Sequence, residues 1–252
     1  MDLINTNVKL SLDVVHCYDE GDGPGDAEPY LWTVFFKVDG DSVTFNTDTL
    51  RLETRLGRPF NIIIPPRASV KATSGSQGNL GNTDVSDGES VFIPASIGQY
   101  NTILKPIPFS KPLLGMTQTG GMIGCIAILM EEDNTPNQAI LAGYEALRTN
   151  VATKLSELLR QVTITSPDIS EEAINGISAQ IGNAVRAAIK DQVNAFEFIF
   201  GFGDMDDQIG SKVFRFTHRE LQAANPFSQR FTERWNNEGS WEIYGHVFAF
   251  RT

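Results

Sequence analysis

The spacing of apolar residues changes twice along the chain, and this change constrains the fold most. Up to about residue 131, apolar residues alternate with polar ones or form short continuous runs, as in β-strands. Between residues 135 and 196 they recur at spacings of three and four, which is typical of amphipathic helices. Alternation then returns, so the sequence predicts a mainly β protein with α. We expect one domain, residues 1–252, built as an antiparallel β-sandwich with a helical hairpin inserted at 135–196.

The predicted hairpin consists of two helices joined by a short segment that contains Pro167. Thr135, Pro136 and Gln138 are typical of a helix start, and Asp168 with Glu171 indicates a second one. Three interpretations remain open for the two apolar stripes: packing on each other and on the sandwich, a surface for homo-oligomer formation, or a membrane-inserting arm. The mixed charges on the polar faces favour water over lipid.

Two runs in the first half carry the strand prediction. In residues 9–18, alternation places one set of side chains on one face and Val15 with Cys17 on the other; the first set is Leu10, Leu12, Val14 and His16. Residues 29–38 are almost wholly apolar, which predicts a central strand buried on both faces. Cys17 and Cys125 lie in strand-like runs and are expected to be reduced core thiols, with a bridge between neighbouring strands as the alternative.

Composition and motifs exclude several classes of protein. The net charge of −11 argues against nucleic acid, because binding to phosphates needs a large basic face. The first residues do not have the pattern of a secretory signal, and residues 121–130 are too short to span a membrane. We therefore expect a cytoplasmic location, with release by a route that needs no signal peptide left open. Catalytic motifs are missing, so we expect no enzyme, although carboxylate pairs that meet only in the fold stay possible.

Acidic loops are the main candidate sites. Residues 19–28 and 203–207 combine aspartates with glycines and have no nearby Lys or Arg; the candidate metal ligands are Asp19, Asp22, Asp26, Glu28, Asp204, Asp206 and Asp207. Calcium prefers six to eight oxygen ligands, which such loops supply from carboxylates and turned carbonyls. Residues 81–89 form a third acidic loop. The alternative for each loop is a hydrated turn in which aspartate bonds its own backbone.

The two main loops resemble those of the calcium-dependent lipid-binding β-sandwich called the conserved-2 domain of protein kinase C. Glu28 occupies the acidic place before Pro29-Tyr30, and Asp207 precedes Gln208-Ile209-Gly210. The resemblance also assigns Asp22 and Asp26 to ligand positions in the first loop and matches the Asp-x-Asp spacing of Asp204 and Asp206. It implies that both loops converge at one end of the sandwich and share calcium. The chain departs from the family in its shorter second loop and its helical insertion.

These features predict a non-enzymatic calcium-binding module that acts in binding or assembly. Its partner would be a protein, an anionic lipid or a glycan held through calcium. Two alternatives are a membrane-active protein, toxin-like or an effector, that uses the hairpin, and a structural subunit that self-assembles. Trp32 and Trp241 are expected in the core because they lie in strand-like runs, whereas Trp235 is expected to be the exposed tryptophan.

Overall fold

The computed structural model describes residues 3–21, 26–54, 66–71, 73–81, 84–132, 136–162, 208–236 and 239–252. The elements within these ranges are β1 (Thr6–Asp19), β2 (Pro29–Val38), β3 (Val43–Asn46), β4 (Arg51–Thr54), β5 (Ser69–Lys71), β6 (Ser90–Phe92), α1 (Ala95–Gly98), β7 (Gln99–Leu104), β8 (Ile107–Leu113), β9 (Met116–Thr119), β10 (Met122–Glu131), α2 (Asn137–Leu159), β11 (Gln208–Thr217), α3 (His218–Leu221), β12 (Phe227–Trp235) and β13 (Ser240–Arg251). Strands dominate, which confirms the mainly β prediction.

The strands in the described ranges form three sheets. The first sheet has the order β12-β13-β1, and both β6 and β7 pair with the remaining edge of β1. The second sheet has the order β11-β10-β2-β5, and the third has the order β4-β3-β8-β9. All pairs between the described strands are antiparallel except the contact between β3 and β8. The prediction of antiparallel sheets is therefore confirmed.

The second sheet lies at the centre of the molecule. Every residue of β2 and β10 is buried, because both faces of these strands are covered. Leu31 and Phe35 face the first sheet in one hydrophobic cluster. Trp32 and Phe36 belong to a second cluster, shared with α2 and the third sheet. Residues 29–38 are thus a central strand that is buried on both faces, as their almost wholly apolar sequence predicts.

The faces predicted for β1 are corrected by a β-bulge. Register with β13 shifts between Leu12 and Val14, so the strand gains one residue at Asp13. Because side chains alternate with a period of two, this extra residue moves everything after it to the opposite face. Val15 and Cys17 therefore join Leu10 and Leu12 in the core, while Val14 and His16 turn outward. The prediction had placed Val14 and His16 on the face of Leu10 and Leu12, with Val15 and Cys17 on the other face.

The first predicted helix is present as α2, and its apolar stripe packs on the second sheet; the buried stripe residues are Ile140, Tyr144, Leu147, Val151, Leu155 and Leu159. The Tyr144 hydroxyl donates to the Thr33 carbonyl at 2.8 Å and accepts from the Thr73 amide at 2.7 Å. A Cβ at Gly75 would lie 2.3 Å from the Tyr144 ring, so only glycine allows this approach.

The second predicted helix, residues 168–196, and the alternating segment after it lie outside the described residues, so the helical hairpin stays a prediction. In the part of the chain that the structure describes, no helix is both long and apolar enough to cross a membrane.

Both cysteines are buried and unbonded, which confirms the prediction of reduced core thiols. Cys17 lies on β1 and Cys125 on β10. Burial, aided by the nearby Asp87 carboxylate, raises the pKa of the Cys17 thiol to about 12. Burial also raises the pKa of Cys125 well above its usual value. Neither thiol is ionised near neutral pH, and both pack as small apolar groups.

Trp32 and Trp241 are buried as expected, but the prediction that Trp235 is exposed is wrong. The Trp235 indole lies on the backbone of β11, where a Cβ at Gly210 would come within 2.2 Å of the ring. Its Nε1 donates to the Ser211 carbonyl at 3.3 Å. The absence of a side chain at Gly210 creates the space that buries the indole.

A buried charge cluster closes the end of β2. Lys37 Nζ donates to Asp39 Oδ2 at 2.9 Å, to Asp41 Oδ2 at 2.8 Å and to the Ile103 carbonyl at 2.9 Å. Asp39 is fully buried, and its carboxylate also accepts the backbone amides of Asp41 and Lys105. Burial alone would lower the pKa of Lys37, but the hydrogen bonds that it donates to Asp41 and Asp39 outweigh this effect and raise that pKa.

Candidate functional site

The first acidic loop joins β1 to β2, and its two ends are described. Asp19 Oδ1 accepts the backbone amide of Gly21 at 3.0 Å, which closes a turn at the end of β1. Gly21 has a φ of +82°, a conformation that side chains disfavour. At the other end, the Glu28 carbonyl accepts the amide of Glu132 at 3.0 Å, which ties the loop to the end of β10.

The first loop meets the third one. Ala27 and Val85 exchange backbone hydrogen bonds of 3.2 and 2.9 Å. The Ser86 hydroxyl donates to Asp26 Oδ1 at 2.7 Å, and the Glu20 amide donates to Asp87 Oδ1 at 2.9 Å. We call residues 19–21, 26–28 and 84–89 the acidic junction. Loops about sixty residues apart in sequence are thereby held together by their own aspartates.

The acidic junction is rich in negative charge. Asp19, Asp26 and Asp87 each use one carboxylate oxygen in the bonds above, and within the described residues the other oxygen of each has no hydrogen bond or ion pair. The Asp87 carboxylate also lies near the Cys17 thiol of β1 and adds to the effect of burial in raising the pKa of that thiol. Neighbouring carboxylates repel one another, and a bound cation would relieve this repulsion.

The strand register places the two strand starts that follow the predicted calcium loops at one end of the second sheet. Tyr30 of β2 and Gln208 of β11 both pair with Met130 of the intervening β10. The two strand starts are therefore two strand spacings apart, about 10 Å. Residues 26–28 directly precede β2, and residues 204–207 directly precede β11.

The outcome for the predicted ligands is mixed. Asp19, Asp26 and Glu28 lie in the acidic junction, whereas Asp22, Asp204, Asp206 and Asp207 lie outside the described residues. Among the residues that are described, no group of three or more His, Cys, Asp or Glu side chains is arranged to hold a metal ion. The strand register places the starts of β2 and β11, which follow the two loops, near each other. That the carboxylates of the two loops come together stays a prediction.

A scan of the sequence against protein-family models finds no match, and a comparison with proteins of curated function finds none either. The resemblance to the conserved-2 domain therefore rests on the loop residues alone.

Sequence reasoning missed a polar and aromatic cluster on the outer face of the first sheet. Glu242 Oε2 accepts hydroxyl bonds from Tyr18 at 2.8 Å and from Tyr244 at 2.7 Å. The Arg234 guanidinium lies 3.9 Å from the centre of the Tyr18 ring, a cation–π contact. Partial burial opposes ionisation of Glu242, but the bonds from Tyr244 and Tyr18 outweigh it and lower the carboxyl pKa. Alternation within β13 would have predicted that Glu242 and Tyr244 share one face. That Tyr18 of β1 joins them follows only from the pairing of β1 with β13, which the sequence does not reveal.

The same outer face carries much of the exposed apolar surface. Tyr18, Phe92, Ile103 and Phe250 are four of the seven exposed large apolar residues in the described ranges. Ile103 and Phe250 both pair with Asn7, so they flank it on neighbouring strands. Phe92 is 79% exposed and pairs with the outward-facing Val14. The outer face of the first sheet therefore exposes apolar side chains at two positions along β1, opposite Asn7 and opposite Val14.

Each of the three histidines has a ring nitrogen within hydrogen-bonding distance of a hydroxyl or carbonyl oxygen. His16 Nδ1 lies 2.8 Å from the Ser90 hydroxyl, and His246 Nε2 lies 2.8 Å from the Ser228 hydroxyl, both at the surface. His218 begins α3, a short helical turn, and is fully buried. Its Nε2 donates to the Ile4 carbonyl at 2.8 Å, while its buried Nδ1 has no hydrogen-bond partner in the described part of the chain.

His218 makes stability depend on pH. Burial lowers its pKa from the ordinary 6.5, despite the opposing effect of the bond to Ile4. The unfolded chain then binds more protons than the folded one below pH 6.5, so the stabilisation is complete above that pH and is lost as pH falls toward the folded pKa. Urea unfolding at a series of pH values measures this loss.

His218→Gln retains a donor for the Ile4 carbonyl but cannot titrate, so its stability should fall less steeply on acidification than that of the original protein. His16→Gln, at a half-buried position on the outer face of the first sheet, is the control and should keep the original slope. Equal slopes for the original protein and His218→Gln would show that another group causes the pH dependence.

Proposed function

We propose that this protein is a non-enzymatic β-sandwich module for binding or assembly, and that calcium orders its acidic end. The observation that supports this most is the shared register of Tyr30 and Gln208 with Met130, because it attaches both predicted loops at one end of the second sheet. The acidic junction adds a third acidic segment beside the first loop.

Calcium would act on these loops in two ways. Asp19 and Asp26 each have a carboxylate oxygen with no described partner, and Asp22 with residues 204–207 would supply further oxygens. Six to eight such ligands, completed by carbonyls and water, match the preference of calcium. Binding would offset the repulsion between carboxylates and would leave a cation at the surface, where a protein, an anionic lipid or a glycan can complete its coordination.

The outer face of the first sheet is the natural contact surface for the binding or assembly role. It combines the exposed side chains of Phe92, Phe250 and Ile103 with the hydrogen-bonding cluster around Glu242. Mixed aromatic and polar surfaces of this type are common in interfaces between proteins. We therefore assign self-association to this outer face rather than to the predicted helical hairpin.

Calorimetric titration of the full chain with calcium tests the metal site. We expect a dissociation constant on the order of 10⁻⁴ M, together with a rise in melting temperature. Asp26→Asn and Asp206→Asn should each weaken binding about tenfold or more, because each removes a charged ligand from one shared site. Light scattering with and without calcium reports whether the metal also promotes assembly.

Asp13→Asn is the matched control, since it removes an exposed aspartate at the β1 bulge rather than in a loop. It should bind calcium as the original protein does. No heat and no change in melting temperature at millimolar calcium would remove the metal from the proposal. If Asp26→Asn weakens binding and Asp206→Asn does not, the two loops do not share one site.

A further inference from the structure

A cleft of about 400 Å³ lies between β4 and the C-terminal end of α2. Its lining residues are Thr49, Arg51, Leu52, Glu53, Pro66 and Arg160. The volume is within the usual range for small-molecule sites. None of these residues belongs to the acidic junction or to the outer face of the first sheet, so the cleft is separate from the proposed function.

The charged residues that line the cleft are two arginines and one glutamate, so its lining is net positive in a chain that is net negative. Arg51 and Arg160 have no ion pair or hydrogen bond from their side chains to any described residue, in a protein of net charge −11. Glu53 Oε1 accepts neutral donors instead, from Asn46 Nδ2 at 2.9 Å and the Thr49 hydroxyl at 3.2 Å. Among the described residues, the cleft thus combines one carboxylate that is oriented by an amide and a hydroxyl with two guanidinium groups that make no side-chain bond.

The backbone under both arginines is firmly held. Arg51 pairs with Asn46 on β3, and the next residue, Leu52, is buried in the core cluster shared by the second and third sheets. Arg160 directly follows Leu159, which is buried in the same cluster. Its amide donates to the Glu157 carbonyl at 3.3 Å, so the turn after α2 fixes its position. Positively charged groups on a rigid backbone lose less entropy on binding an anion.

We propose that this cleft binds a small phosphorylated molecule with a hydroxyl-bearing carbon frame. Guanidinium groups bind phosphate oxygens through paired, charge-assisted hydrogen bonds, which assigns the phosphate to Arg51 and Arg160. The Glu53 carboxylate repels a bare anion but accepts hydrogen bonds from hydroxyl groups. This assigns the hydroxyl-bearing frame to its side of the cleft. Leu52 and Pro66 supply apolar surface for the carbon atoms.

Calorimetry of the full chain with ribose 5-phosphate, inorganic phosphate and ribose tests this assignment. The buffer contains a chelator, so that the result does not depend on calcium and the proposed metal site is tested separately. We expect ribose 5-phosphate to bind at millimolar concentration or below, inorganic phosphate to bind more weakly, and ribose not to bind. Arg51→Gln and Arg160→Gln should each weaken the binding of ribose 5-phosphate about tenfold or more.

Arg67→Gln is the control, because Arg67 is an exposed arginine next to Pro66 that does not line the cleft. It should bind as the original protein does. The substituted arginines are at the surface, and an unchanged melting temperature without ligand verifies that each variant is folded. Absence of binding by the original protein, equal affinity for ribose 5-phosphate and inorganic phosphate, or unchanged binding by both cleft variants would each overturn the proposal.

Discussion

Replacing Lys37 with methionine is expected to reduce the free energy of unfolding by about 3–5 kcal/mol. The substitution keeps an apolar chain in the buried end of β2 but removes the ammonium from the Asp39 carboxylate, 2.9 Å away. Asp39 has no exposed surface, so its charge would stay in the interior with backbone amides as its remaining donors. Urea unfolding followed by circular dichroism measures the change.

Lys111→Met is the matched control for this experiment. The Lys111–Asp48 pair has nearly the same separation, 2.8 Å, but its side chains are 66% and 65% exposed. Water solvates an exposed carboxylate that has lost its partner, so the expected loss is about 1 kcal/mol or less. Similar losses for Lys37→Met and Lys111→Met would contradict the conclusion that burial determines the cost at Asp39.

Trp32→Ala is expected to cost about 3–5 kcal/mol of unfolding free energy, through the large cavity that it leaves in the second sheet. Trp32 is fully buried and lies against Tyr144 of α2, with ring centres 5.9 Å apart. Its Nε1 also donates to the Gly75 carbonyl at 2.7 Å, which the substitution would leave buried without that bond. The denaturant midpoint and the far-ultraviolet signal of α2 should fall together.

Phe92→Ala is the control for Trp32→Ala, because it deletes an aromatic ring that is 79% exposed. We expect its unfolding free energy to stay within about 0.5 kcal/mol of the original value. Trp32→Phe refills part of the cavity and should lose less than Trp32→Ala. An unfolding free energy for Trp32→Ala equal to that of the control would mean that α2 does not depend on this contact.

The parts of the fold that follow from hydrophobic pattern alone were predictable. β2 and β10 are almost wholly apolar, and the structure buries every residue of both. The faces of β1 were not predictable, because the bulge at Asp13 depends on pairing with β13, more than 220 residues later. The burial of Trp235 likewise depends on Gly210 in a neighbouring strand.

In the candidate site, too, local features could be predicted from the sequence, whereas contacts between distant segments could not. Composition and the family resemblance identified the first loop as acidic, but its bond to Ser86 required knowledge of which loops meet. The buried Asp39 had a local signal that was missed: Lys37 is a single charge within an apolar strand, two residues before an aspartate. A lone lysine in such a run needs a buried partner, and Asp39 supplies it.

The pairing of β1 with β13 has a consequence for how the chain reaches its native state. Thr6 lies opposite Arg251, and the register continues to Asp19 opposite Ser240. The central ladder of the first sheet therefore cannot form until the ribosome has released the residues up to Arg251. Until then Leu10 and Leu12 lack the strand that completes their layer, and such contacts between distant residues slow folding. During synthesis β1 therefore waits with an unpaired edge, and unpaired strand edges with exposed apolar side chains favour aggregation.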